Sequence, residues 1–337
     1  MILHPGVLAL LAGSALVSAL LLVSAWNGLV ILRRWDLASG SALQLSLERR
    51  TYLVSTIVGY VLAFEAVSLF LYVYTADALA PMFTGAMCAA GTLAADGWGY
   101  PVLVLRLANF VLAGLWLVLN RADTLGHDYP LVRPKYVLLL ALTPLLLAEA
   151  VLQARYFLAL EPEVITSCCG SLFSRGGTSG VGAGLAVLPA APLAVALYAT
   201  AGAAGGAGAA FGRWWRGARG AALAVLLGAA AALALAAGLA AVVSWVSPYV
   251  YELPTHRCPF CLLQAEYGWV GYPLYATLLG GAVCGMGAGV LVPARRVPSL
   301  AEAVPALQRR LAIAAAVLFA LFAAIVTWKV LASHLAA

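Results

Sequence analysis

Cysteine carries the most specific chemistry in this sequence. His256-Arg257-Cys258-Pro259-Phe260-Cys261 sets two thiols three residues apart, Thr166-Ser167-Cys168-Cys169 holds an adjacent pair, and Cys88 follows Met87. Two cysteines at that spacing can close a small disulfide, and a helix N-terminus with cations beside it stabilises the reactive thiolate, so the spacing reads as redox or metal chemistry. Adjacent cysteines form a strained, labile ring on oxidation and, when reduced, grip soft metals such as mercury or copper(I). Met87 adds a soft thioether beside Cys88. On this reading Cys88, Cys168, Cys169, Cys258 and Cys261 are the candidate catalytic residues, and the same five are the ligand set if the chemistry is soft-metal binding. Cys258 is expected to be the more exposed of its pair, and Cys261 about one turn deeper. Cys284 reads as a small packing hydrophobe.

These segments need elements to hold them, and composition says what those elements are. Of 337 residues, 64% are hydrophobic and 9% charged, whereas a soluble domain carries about a quarter charged residues. The mean hydropathy is +0.99. Long apolar runs without period-two alternation imply membrane-spanning helices rather than a barrel. Eight runs reach the roughly 20 residues that a span needs: about 6–32, 51–74, 101–120, 137–160, 181–210, 221–247, 268–293 and 311–331. The expected fold is therefore all-α, a polytopic integral membrane protein with about eight transmembrane helices forming a single transmembrane domain over 1–337. The stretch 78–95 is also apolar, but Pro81, Gly85, Gly91 and Gly97 suit a re-entrant or interfacial piece better than a span.

Lys and Arg orient the spans. The segments 33–50, 121–135, 213–219 and 295–310 hold fourteen of the nineteen basic residues, which makes these loops cytoplasmic and both termini non-cytoplasmic. The loops 75–100, 161–180 and 248–267, with five of the six cysteines, then face the other side. The net charge of +6 is accounted for by topology, with no call for nucleic acid. Inside the spans lie Glu65, Glu149 and Arg106. Buried ionisable groups are costly in lipid, so they pair or mark a route, and Glu65 with Glu149 reads as a proton path. Gly281, Gly285 and Gly289 share one helix face and favour close packing.

Around the third cysteine loop, Cys258-Pro-Phe-Cys261-Leu-Leu-Gln264 with Tyr272-Pro273 further along resembles the quinone-linked thiol oxidoreductases of the disulfide bond formation protein B type. The resemblance covers residues 256–274. Ala265 stands where that family carries Arg, and Tyr-Pro comes three residues late. It implies electron exchange between Cys258 and Cys261 and a quinone, with a soluble thioredoxin-like protein meeting Cys168-Cys169 at the non-cytoplasmic face. Gln264, His256 and Arg106 are the residues then expected to hold the cofactor, in a bacterial inner (cytoplasmic) membrane. The function expected is thus a membrane thiol–disulfide oxidoreductase; the alternatives are a transporter or sensor for a soft metal ion, mercury or copper, and a structural subunit of a membrane complex.

Overall fold

Ala- and Leu-rich runs satisfy their backbone groups within one segment, and the chain is helical wherever such runs occur. The computed structural model describes residues 1–36, 39, 41–161, 164–166 and 189–336, with no strand among them. In chain order the helices are α1 (Pro5–Arg34), α2 (Ala42–Leu79), α3 (Ala89–Ala94), α4 (Gly99–Asp123), α5 (Val132–Ala159), α6 (Ala190–Arg213), α7 (Gly217–Ala241), α8 (Ser247–Tyr251), α9 (Gly271–Val290) and α10 (Ala303–Leu331). Among the described residues eight helices are long and apolar enough to cross a membrane. They correspond one to one to the eight expected runs. The stretch 78–95 forms a short turn at Ala80–Met82 and the six-residue α3, so it is not a span.

The chain divides into two compact units. The first comprises Met1–Tyr72, Gly97–Leu160 and Pro293–Val304. Its core is apolar: Val17, Leu21 and Ile31 of α1 pack with Val58 and Leu62 of α2, Trp116 of α4, and Tyr136 and Leu139 of α5. Two polar knots interrupt this core. Lys135 pairs with Asp123 at 2.5 Å; the sequence counted Lys135 as a loop cation, but it is fully buried. The other knot gathers Arg106, Glu65 and Glu149, which places both carboxylates inside the bundle, as expected.

The second unit comprises Val73–Asp96, Glu161–Val292 and Pro305–Ala337. Here α7 lies against α9, and glycine sets their distance. A Cβ on Gly285 would come within 2.5 Å of the Ala231 Cβ, and one on Gly289 within 3.3 Å of the Gly228 Cα. Beyond α7 the chain widens into a π turn, Val242–Val246, just before Pro248. Proline has no N–H to donate; one residue earlier, the Val242 carbonyl accepts from both the Ser247 N–H and, at 2.7 Å, the Ser247 hydroxyl. The following helix, α8, ends with Glu252 at φ 56°, and that reversal launches the loop carrying Cys258 and Cys261.

Candidate functional site

The site lies wholly within the second unit and is assembled from two stretches far apart in sequence. Cys88 is the extended residue preceding α3, reached through a turn in which Gly85 takes φ 90°. A side chain at Gly85 would strike the Thr166 carbonyl. Cys258 and Cys261 come from the loop between α8 and α9. The Sγ atoms of Cys88 and Cys258 are 3.5 Å apart, well beyond the roughly 2.05 Å of a disulfide. The three sulfurs all lie within 4.8 Å of one another. Exposure is 0% for Cys88, 0% for Cys258 and 4% for Cys261.

Hydrogen bonds fix each stretch. One Asp77 carboxylate oxygen, on the last turns of α2, accepts from the Ala89 N–H at 3.0 Å and from the Gln264 amide at 3.0 Å. The same Gln264 amide donates to the Met87 carbonyl at 3.0 Å. Asp77 and Gln264 thereby tie the Cys88 stretch to the Cys261 stretch. The Cys258 carbonyl accepts from the Tyr251 hydroxyl at 2.5 Å and the Ser247 hydroxyl at 3.2 Å, and the Pro259 carbonyl accepts from the Tyr275 hydroxyl at 2.7 Å. The Phe260 N–H points to the Cys258 sulfur at 3.4 Å, an interaction that favours a thiolate.

His256 stacks edge-on against Tyr251 with ring centres 4.5 Å apart. Burial pushes its imidazole below the usual value, and the Cys88 sulfur opposes that effect. The Tyr267 hydroxyl is pushed up, first by burial and then by the charge of Cys261. A cavity of about 360 Å³ opens beside the cysteine cluster, lined by Asp77, Met87, Gln264, Glu266 and Trp269 among others. Met87 is 71% exposed, although the thiol next to it in sequence is buried.

Several expectations change. Cys258 is not the exposed member of its pair: the hydroxyls of Tyr251 and Ser247 draw its carbonyl inward, and Cys261 retains the little exposure there is. The two thiols do not open the span either, because Cys261–Leu263 is a single tight turn and α9 begins at Gly271. Gln264 bridges two loops. Arg106, Glu65 and Glu149 belong to the first unit. Cys168 and Cys169 lie outside the described residues; Thr166, two residues before Cys168, donates its N–H to the Thr84 carbonyl at 3.0 Å. Cys284 sits in α9, half-buried.

Sequence reasoning missed Asp77, Ser247, Tyr251 and Tyr275. Asp77 alone gave a signal, as an acidic residue just past the apolar run 51–74.

Chemically, the cluster offers three soft donors with little water. Three thiolates at about 2.3 Å from one ion stand roughly 4 Å apart, which matches the spacing here. No protein-family model, curated protein or solved structure matches the chain.

Proposed function

We infer that this is an integral membrane protein that binds a soft metal ion of the copper(I) or mercury(II) class, through Cys88, Cys258 and Cys261, as a transporter or sensor. The observation that carries the reading is the convergence of three buried sulfurs within 4.8 Å. Thiolates select soft ions. A mouth bearing Asp77 and Glu266 favours cations, and the exposed Met87 thioether offers a first soft contact.

The orientation that follows from the basic loops puts this cluster at the non-cytoplasmic face, with both termini on that side and the chain in a bacterial inner membrane. In the second unit Arg216 and Arg309 both lie over Trp215, at 4.6 and 5.9 Å. The 25 residues of α7 (Gly217–Ala241) separate that end from the cysteine loop, about 37 Å at 1.5 Å per residue.

Titration of reduced, anaerobic protein with copper(I) tests the assignment. One equivalent should bind, and Cys88→Ser, Cys258→Ser or Cys261→Ser should weaken binding by at least about 100-fold. Failure of the wild-type chain to bind copper(I) or mercury(II) removes the reading.

The second reading is a thiol–disulfide oxidoreductase, favoured by the 3.5 Å contact between Cys88 and Cys258 and by the spacing of Cys258 and Cys261. Two thiols would form one disulfide and pass two electrons and two protons to a quinone, yielding quinol. Loss of two titratable thiols per chain on addition of quinone, with no metal bound, would establish it in place of the first.

A further inference from the structure

Among the described residues, the largest group of buried charges outside the cysteine site is in the first unit. Arg106 of α4 pairs with Glu65 of α2 at 3.4 Å and with Glu149 of α5 at 3.2 Å. All three side chains are at most 6% exposed. The Arg106 guanidinium also donates to the Ser68 hydroxyl at 2.6 Å and to the Gln153 amide oxygen. Gln153 in turn donates to Ser14 and to the Leu10 carbonyl on α1. Asn109 donates to Glu149 at 2.6 Å, and the Tyr72 ring lies 5.0 Å from the guanidinium. Among the described residues, the charged and titratable groups facing the knot are Glu65 and Tyr72 on α2, Arg106 on α4 and Glu149 on α5, while α1 supplies only Ser14 and a carbonyl.

Two carboxylates share one guanidinium, so the knot carries a net charge of −1 if both are ionised. Like charges this close, away from water, oppose a second ionisation. Glu65 Oε1 and Glu149 Oε1 stand 3.4 and 3.2 Å from the two terminal nitrogens of this one guanidinium, so a proton held by either carboxyl leaves a single ion pair with no excess charge. Among the described residues, Asn109 Oδ1 and Arg106 Nε, one acceptor and one donor, are also buried without a hydrogen-bond partner.

We propose that Glu65 and Glu149 together form a proton-binding site that holds one exchangeable proton between α2 and α5, with Arg106 stabilising the remaining negative charge. The site is independent of the metal reading. Its ligand is the proton itself, and it gives the first unit a means of coupling proton uptake to whatever the membrane helices do.

Infrared spectroscopy of the purified full-length protein in lipid nanodiscs tests this directly. At neutral pH the wild-type protein should show the C=O band of a protonated carboxylic acid. That band should shift in D₂O and with ¹³C-glutamate labelling, and should not shift with ¹³C-aspartate. Glu65→Gln and Glu149→Gln should each remove it, because the single carboxylate that remains pairs with Arg106 as an anion. No protonated-acid band in the wild-type protein, or a band that follows the aspartate label, overturns the proposal; so does a band that persists in both variants. The labelled wild-type measurement decides the matter even if the variants fail to fold.

Discussion

Cys88, Cys258 and Cys261 stand as thiols within 4.8 Å of one another, and each would supply one bond to a soft ion. Replacing any one by Ser should weaken copper(I) binding by at least about 100-fold, judged against the 10–100-fold lost when only a group supporting a metal ligand is removed. Cys284→Ser, half-buried in α9, should bind as the wild type does. Titration against a chromogenic copper(I) chelator reads both. Binding should also weaken as the pH falls, because the ligands must lose their protons first. Asp77 and Gln264 act at one remove: Asp77→Asn keeps the shape but weakens the bonds to Ala89 and Gln264. A loss of about 10-fold, at the lower end of the range for supporting groups, is expected in the same titration with the one-to-one stoichiometry retained. Cys258 and Cys261 were legible in the sequence because their spacing is local. The part played by Cys88 was legible only as chemistry: its contact with Cys258 spans 170 residues, and no local pattern encodes such a pairing. The exposure expected of Cys258 failed because the hydroxyls that turn it inward, on Ser247 and Tyr251, look in sequence like ordinary helix-end residues.

Among the elements, α7 and α9 meet through glycine, and α6 offers the contrast. Gly285→Ala must push against Ala231, 2.5 Å from the new Cβ, while Gly205→Ala in α6 meets nothing within 4 Å. The first should cost about 1–3 kcal/mol of stability through overpacking. The second should be neutral or stabilising by up to about 1 kcal/mol, the helix preference for Ala over Gly. Unfolding in detergent, followed by circular dichroism, should separate them. The face shared by Gly281, Gly285 and Gly289 was readable from spacing, but its partners were not: Gly285 and Gly289 face α7, whereas Gly281 meets Phe319 of α10. All eight long helices were readable because a membrane demands a minimum apolar length. Their ends were less so. The second run was expected over 51–74, yet α2 extends over Ala42–Leu79, since a helix need not stop where its apolar stretch does. That extension brings Asp77 to the cysteine cluster. The π turn at Val242–Val246 had no clear sequence signal beyond the Ser247-Pro248 step.

Across the whole molecule, the basic loops and the cysteine loops alternate along the chain, and in the proposed orientation they face opposite sides of the membrane. A cysteine introduced at Met87, 71% exposed, should react with an impermeant maleimide on intact cells; one introduced at Leu125, 37% exposed, should react only after permeabilisation. The reverse pattern would invert the orientation and put the cysteine cluster at the cytoplasmic face. The central claim, three sulfurs on one soft ion, is tested most directly by X-ray absorption spectroscopy of the anaerobic full-length protein loaded with one equivalent of copper(I). The account predicts a copper centre with three sulfur neighbours, falling to two or none in Cys88→Ser. Copper with nitrogen or oxygen neighbours, or a spectrum unchanged by Cys88→Ser, would contradict it.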